Sequence, residues 1–437
     1  MEADSNIGTI GSGRRGLAAL LVAQFMGAAN DNILKALLSF AVVTGGMWSG
    51  RLGQGGHGLI ALCLFVPFIL FSGWAGPLAD RHSKRTIAIW MKWFELPLAI
   101  LAGFGFVMGN FWLTAIAMVL LATQSTFFSP AKYGMIPELV PDSAISRANG
   151  LLNMTTNIAV ITGMLVAGIV SDRLQHVAPV QESIVTDAVV NFGMNLWLPI
   201  MVLVSVAVVG ISAIVWLPKL VPLQPSTKIP INPFTSYGST LREMWGTPLW
   251  TGAIAWALFY LLATTAILVI TELGDVLKVS DQQVSYLLAA VGVSVGIGSL
   301  SAGYLSKSRI RIELSRIGAI SMVLALLLAG LAPVSYWVML TSLVWLGLSA
   351  GFYAIPLQSL MQTLPIPGHR GRVLATSNAI SFSFMAGGSL AYWVCRPLFG
   401  DSPQYIFIVC SAFAIAACVI YRFITHDSVH PAINDPE

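Results

Sequence analysis

The chain has 437 residues, of which 56% are hydrophobic and 10% charged, with a mean hydropathy of +0.79 and a net charge of +4. Soluble domains carry about 25% charged residues, so a soluble globular protein is excluded and an all-α integral membrane protein is expected. No basic run with interleaved aromatics suits nucleic acid, and Cys63, Cys395, Cys410 and Cys418 sit in apolar stretches without metal-ligand spacing, so neither a metal nor a cofactor is expected.

Met1–Gly16 is short and polar, with Arg14 and Arg15 ahead of the first apolar run. No small-residue cleavage site follows, so a retained first helix is expected. Apolar stretches long enough to cross a bilayer, about 20 residues each, recur near 17–45, 58–79, 86–108, 111–133, 143–171 and 192–217. A polar connection, 218–247, follows, with Pro222, Pro225, Pro230 and Pro233. Further spans are expected near 248–272, 282–305, 312–332, 336–363, 372–396 and 403–424. The expected architecture is twelve transmembrane helices in two six-helix halves, 1–217 and 248–437, joined by the cytoplasmic linker 218–247.

The first span carries an exception to its own apolarity. Asn30-Asp31-Asn32 sits at its middle, with Lys35 one turn after the aspartate. A carboxylate at bilayer depth costs at least ~2.5–3.5 kcal/mol. Such a group is retained where it faces a polar cavity or a partner. Asp31 and Lys35 stand at i,i+4, so they share a helix face and can partly neutralise one another. An internal ion pair that locks the bundle is one reading. The two asparagines weigh against it, because they add hydrogen-bonding capacity that a simple pair does not need.

Charge fixes the expected orientation. With a cytoplasmic N-terminus, seventeen basic residues fall inside: Arg14, Arg15, Arg81, Lys84, Arg85, Lys132, Arg147, Lys219, Lys228, Arg242, Lys307, Arg309, Arg311, Arg316, Arg370, Arg372 and Arg422. Four fall outside: Arg51, Arg173, Lys278 and Arg396. That positive-inside bias puts both termini in the cytoplasm, as an even number of spans requires.

The halves also repeat. Gly76-Pro-Leu-Ala-Asp80 matches Gly303-Tyr-Leu-Ser-Lys307 at an offset of 227, Pro130 matches Pro356 at 226, and Asn149 matches Asn378 at 229. A duplicated six-helix unit suggests a transporter with its site between the halves, working by rocking one against the other.

Gly76-Pro-Leu-Ala-Asp80-Arg81-His82-Ser83-Lys84-Arg85 resembles the loop between helices two and three of the major facilitator superfamily, with Ser83 in place of its second glycine. The resemblance implies a conformational latch, which assigns Asp80, Arg81 and Arg85 to gating. Positive-inside anchoring explains Lys84 and Arg85 equally well, but not Asp80. A closer resemblance rests on Gly27-Ala-Ala-Asn-Asp31-Asn-Ile-Leu-Lys35, Trp90-Met-Lys92-Trp-Phe-Glu95, Phe128-Ser-Pro-Ala-Lys132-Tyr133-Gly-Met-Ile-Pro137 and Arg147-Ala-Asn149-Gly150. These elements are similar to the bacterial lysophospholipid transporters and to the transporter domain fused elsewhere to a lysophospholipid acyltransferase. The resemblance implies movement of lysophospholipid, chiefly lysophosphatidylethanolamine, from the outer to the inner leaflet of the bacterial cytoplasmic membrane, for reacylation there. The one His-x-x-x-x-Asp spacing, His430 to Asp435, follows the last span and sits in no acyltransferase-like stretch, so the acyltransferase is expected as a separate partner, and a monomer is expected. The resemblance also implies an arginine within the seventh helix. Here Trp256 to Glu272 carries no cation, so that role does not transfer.

A lysophospholipid needs a polar niche for its head and an apolar path for its tail. The substrate candidates are Asn30, Asp31, Asn32, Lys35, Lys132, Tyr133, Asn153 and Asn157. Asp31 could bind an ammonium or organise Lys35. Lys132, closing the fourth span beside Pro130, could hold a phosphate or simply snorkel to the cytoplasmic interface. Lys92 and Glu95 stand at i,i+3, and a structural ion pair is expected because buried charges pair. Glu272 reads as a solvated rim carboxylate or an outer gate. Asn149, Asn378, Asn153 and Asn157 put amides at helical spacing, as packing glue or cavity lining. Gly163 and Ala167, with Gly292, Gly296 and Gly298, permit close packing or a lateral opening. Two other readings compete: a facilitator exporting hydrophobic drugs or other amphiphiles, and a membrane-embedded enzyme. His57, His82, His176, His369, His426 and His430 lie outside the spans and form no catalytic constellation, so an enzyme is not expected.

Overall fold

The structure is a computed structural model that describes residues 2–42, 47–48, 51, 56–175, 195–279, 281–306, 310–400 and 402–421. Among the sequence-derived assignments, Lys307, Arg309, Arg422, His176, His426 and His430 lie outside the described residues, as do 43–45, 192–194 and 422–424 of the expected spans.

Among the described residues, twelve helices of 16 residues or more follow in chain order: α1 (Glu2–Val42), α2 (Gly56–Arg81), α3 (Lys84–Val107), α4 (Phe111–Leu139), α5 (Ile145–Gln175), α6 (Leu198–Ile214), α7 (Pro248–Thr271), α8 (Asp281–Leu305), α9 (Ile312–Leu331), α10 (Tyr336–Thr363), α11 (Arg370–Cys395) and α12 (Ile406–Tyr421). Nine of the helices among the described residues are long and apolar enough to cross a bilayer, and α6 and α12 are shorter apolar helices. The remaining one, α11, is more polar. Its Ser377, Ser381, Ser383 and Ser389 hydroxyls donate to carbonyls four residues back, so they need no partner from outside the helix.

Three boundaries differ from the sequence reading. The helical backbone of α1 begins at Glu2, so the polar N-terminal segment extends the first helix. The fourth span was expected to end near residue 133, but α4 runs on to Leu139 through Pro130 and Pro137. Prolines persist in membrane helices because neighbouring groups re-satisfy the freed backbone. Lys132 is therefore inside a helix and buried, not at a helix end, which removes the snorkelling alternative. The connection 218–247 is not wholly irregular either. It contains a linker helix, Pro233–Met244, started by proline at its first position and by the Asn232 side chain, which accepts from Phe234 N–H at 2.9 Å.

Each half closes around its own core. In the first, Leu34, Leu37, Leu38, Ala102, Phe106, Leu121 and Leu203 pack together, with a second group around Leu20, Met135, Ile145 and Ile214. In the second, Leu262, Val269, Leu287, Ala325, Leu343, Tyr353, Phe407 and Cys410 form one continuous core. Two bodies with separate cores can move against one another without repacking either.

The seam between the halves repeats the internal duplication. Gly76 on α2 sits against the backbone of Arg372 on α11, and Gly303 on α8 sits against Ser146 and Arg147 on α5. A Cβ at Gly303 would lie 2.8 Å from Ser146 O, so the glycine is what lets α5 and α8 approach.

Candidate functional site

One end of the seam, the end carrying the linker and the α2–α3 turn, is closed by polar contacts. Asp80 is buried at the end of α2 and faces the first turn of α11. Its Oδ1 accepts from Gly371 N–H at 2.6 Å and its Oδ2 from Arg372 N–H at 3.1 Å. A carboxylate thus caps the helix N-terminus of the other half, where backbone N–H groups lack partners and the helix dipole favours negative charge. Of the three residues expected to gate, Asp80 alone makes a hydrogen bond across the seam. The Arg85 Nε donates to Leu217 O at 2.7 Å, holding the end of α6 within its own half, and Arg81 is exposed.

Deeper contacts extend the closure. Asn149 Nδ2 donates to Gln362 Oε1 at 3.0 Å and to Ser359 Oγ at 3.1 Å, and Gln362 Nε2 returns a bond to Asn149 Oδ1 at 2.9 Å. Its repeat counterpart Asn378 donates to Ser129 Oγ at 2.7 Å. Asn149 and Asn378 are 229 residues apart, and their acceptors Ser129 and Ser359 are 230 apart, so one contact is the other under the duplication. The Arg147 guanidinium lies over the Tyr304 ring at 4.6 Å.

The central cluster is organised by α4. Ser125, Phe128, Ser129, Lys132 and Tyr133 recur at i, i+3, i+4, i+7 and i+8, so they share one face. Ser129 meets Asn378, and the Tyr133 hydroxyl lies beside Gln358 of α10, so this face looks toward the second half. Ser125 Oγ lies 2.9 Å from Asp31 Oδ2 as donor. Asp31 and Lys35 act on one another electrostatically, as expected, but do not close into a salt bridge. Among the described residues, no lysine or arginine nitrogen lies within 4.0 Å of the Asp31 carboxylate. On this helix the i,i+4 side chains share a face without closing on one another, and a serine of α4 takes the carboxylate instead.

Lys132 is 9% exposed. Its Nζ sits over the Tyr133 ring at 4.6 Å and the Phe128 ring at 5.8 Å. Among the described residues, its ammonium has no carboxylate within 4.0 Å and no hydrogen-bond acceptor. Ring faces attract a cation but do not replace three acceptors.

A second charged group adjoins this cluster, with the Lys92 Nζ 5.5 Å from the centre of the same Phe128 ring. Lys92 Nζ donates to Glu95 Oε2 at 2.6 Å, with both side chains nearly inaccessible. Asn30 Nδ2 donates to Glu95 Oε1 at 2.9 Å, so its amide nitrogen belongs to the ion pair, while its Oδ1 is buried without a partner among the described residues. Gly27 on α1 and Gly210 on α6 make room for the Lys92 side chain, and a methyl at Gly27 would overlap its ammonium. Asn32 donates to Ala28 O of its own helix at 2.8 Å, and Asn157 donates to Asn153 Oδ1 at 3.2 Å, an intrahelical pair on α5. Lys35 is half-buried. Glu272 pairs with Arg396 inside the second half, so it joins α7 to the end of α11 and does not span the seam.

Comparison with known proteins decides the family. The Major Facilitator Superfamily profile matches residues 15–383. The chain belongs to the major facilitator superfamily. This facilitator is 25% identical over 362 residues to the lysophospholipid transporter LplT of Photorhabdus laumondii, covering 80% of each chain. It is 27% identical over 369 residues to LplT of Klebsiella pneumoniae, again covering 80% of each. Among solved structures, it resembles the fucose:proton symporter FucP of E. coli with a TM-score of 0.70, 16% identity and coverage of 95% and 100%. It also resembles a bacterial homologue of the iron transporter ferroportin, in an outward-facing state, with a TM-score of 0.66, 16% identity and coverage of 94% and 99%. The facilitator is thus a multi-pass membrane transporter and not an enzyme.

Several residues of this facilitator's site escaped the sequence reading: Ser125 beneath Asp31, and Ser129, Ser359 and Gln362 on the seam. A signal was present. Gln124, Ser125, Ser129, Gln358, Ser359 and Gln362 are polar residues recurring at helical spacing within otherwise apolar spans.

Proposed function

We propose that this facilitator moves lysophospholipids, chiefly lysophosphatidylethanolamine, from the outer to the inner leaflet of the bacterial cytoplasmic membrane. The carrying observation is Lys132, a buried ammonium without an acceptor on the α4 face that looks across the seam. A phosphate would supply the missing acceptors. Asp31, with a hydroxyl donor but no cation within 4.0 Å among the described residues, would receive the ethanolamine ammonium. A zwitterionic head thus complements two separated charges, each of which is costly to bury alone. The resemblance to transporters named for lysophospholipids supports the same substrate class.

In this reading the linker end is cytoplasmic, and both termini are too, in line with the positive-inside bias. The halves 1–217 and 248–437 rock about the seam around the linker 218–247. A separate acyltransferase consumes the delivered lysolipid, and a monomer suffices, because both halves are in one chain.

The test is uptake of labelled lysophosphatidylethanolamine into liposomes holding the purified protein. Wild type should flip it, and Asp31→Ala and Lys132→Ala should each lose most of that activity while remaining folded. Absence of flipping by wild type would overturn the substrate assignment and turn attention to export of other amphiphiles.

A further inference from the structure

The linker helix is fastened to both sides of the seam. On the first half, the Tyr237 hydroxyl accepts from Gly73 N–H at 2.8 Å and donates to Ile69 O at 2.7 Å. Trp74 Nε1 donates to Pro230 O at 3.0 Å. On the second half, Met244 is buried with Ala253, Met361, Val373 and Leu374, and Glu243 Oε1 meets His369 Nδ1 at 2.7 Å.

Gly73 N–H and Ile69 C=O are separated by four residues. In an undisturbed α-helix they would bond to each other. Here one phenol hydroxyl serves both, in a helix already carrying Pro67 and Pro77. A side chain entering the i to i−4 ladder is a recognised cause of bending. Burial pushes the Tyr237 phenol up to about 12, so the hydroxyl keeps its proton and can donate and accept at once. The linker also comes close at Gly73, since a Cβ there would overlap Pro233 O.

We propose that the linker helix is a strap released from α2 when the halves part at this end, and that the Tyr237 hydroxyl is the pin that holds it in the sealed state. Opening the seam separates α2 from α11. The linker helix shares the apolar core of the second half through Met244 and runs directly into α7, so it travels with that half. The parting falls at Tyr237. Release leaves no orphan in α2, because Gly73 N–H and Ile69 C=O can bond to each other once the phenol withdraws. The buried face of the linker helix suits alternate hydration: it presents Ser236 and Thr240 ahead of Met244, and the Thr240 hydroxyl is buried without a partner.

The experiment uses the full chain in liposomes, with the four native cysteines replaced by alanine. Maleimide labelling is followed at Ser236→Cys on the buried face of the linker helix and, separately, at Ser146→Cys, a buried seam position on α5 whose hydroxyl makes no hydrogen bond among the described residues. Asp80→Ala is expected to raise labelling at both sites. Tyr237→Phe is expected to raise labelling at Ser146→Cys about 3–10-fold, the equilibrium shift that one lost hydrogen bond brings. Gly73→Ala keeps the phenol but crowds Pro233, and should act in the same direction, which covers the case of a poorly folding Tyr237→Phe. A linker cysteine that stays protected in Asp80→Ala, or a seam cysteine unmoved by both Tyr237→Phe and Gly73→Ala, would overturn the proposal.

Discussion

The side-chain amides of Asn149 and Gln362 hold one another in a closed ring across the two halves, each donating to the other at 3.0 Å and 2.9 Å. Both residues are fully buried. An amide pair of this kind is satisfied only while the halves stay together, and each amide must find water when they part. A cross-link in its place should therefore act as a clamp. Asn149→Cys with Gln362→Cys, joined by a short reducible bis-thiol reagent in a background without other cysteines, is expected to stop lysolipid uptake. Reduction should restore it. Uptake that continues at full rate in the cross-linked protein would mean that this end never opens.

Asp80 and Arg85 lie in one loop motif but should fail differently. Asp80→Ala removes the acceptor of two N–H groups on the other half, a loss of about 1–3 kcal/mol for donors left unsatisfied. That loss falls on the sealed state alone, so the expected result is a protein with altered uptake and little change in unfolding. Arg85→Ala removes a cation from the carbonyl end of α6 inside one half. It should lower the melting temperature, because a hydrogen bond from a charged group is lost, without changing access to the seam.

The Lys92–Glu95 pair predicts a stability effect with a sign. Removing one partner leaves a buried charge alone, so Lys92→Met or Glu95→Gln singly should cost about 3–5 kcal/mol. Changing both together should recover much of that, because no isolated charge remains. Gly27→Ala should be destabilising by itself, through overlap with the Lys92 ammonium. Thermal unfolding in detergent measures all four. A double variant as unstable as the sum of the singles would deny the coupling.

Lys132 offers a charge test of the headgroup assignment. Lys132→Arg keeps the cation but changes its shape, and Lys132→Met keeps the length without the charge. Uptake of lysophosphatidylethanolamine should survive partly in the first and fall at least tenfold in the second, since a charged hydrogen bond is worth about 1.5–3 kcal/mol. Equal uptake in the methionine variant would remove phosphate from the Lys132 site. Flipping rates over a series of lipid concentrations distinguish a binding loss from a rate loss.

Much of the architecture was legible because hydrophobic length is a local property. Spans near 86–108, 248–272, 312–332 and 336–363 coincide closely with α3, α7, α9 and α10. The Lys92–Glu95 spacing also revealed a real contact, since i,i+3 neighbours meet on any helix. At Asp31 and Lys35 the same rule gave an electrostatic interaction without a closed salt bridge. Proline misled at α4, where Pro130 marked no helix end.

The sequence by itself determined that this chain crosses the membrane many times, that it is a duplicated pair of six-helix units, and that charge is retained at unusual depth. Those features follow from composition, period and spacing, which need no partner to be read. Only the tertiary structure decided which charges are satisfied and which are not. Glu95 answers Lys92 and Asn30, Ser125 answers Asp31, and the Lys132 ammonium rests on the Phe128 and Tyr133 rings with no carboxylate within 4.0 Å among the described residues. It also decided that Asp80 grips α11, 291 residues away in the chain. The physical reason is that a buried polar group takes its energy from whatever surrounds it, and its surroundings come from other helices.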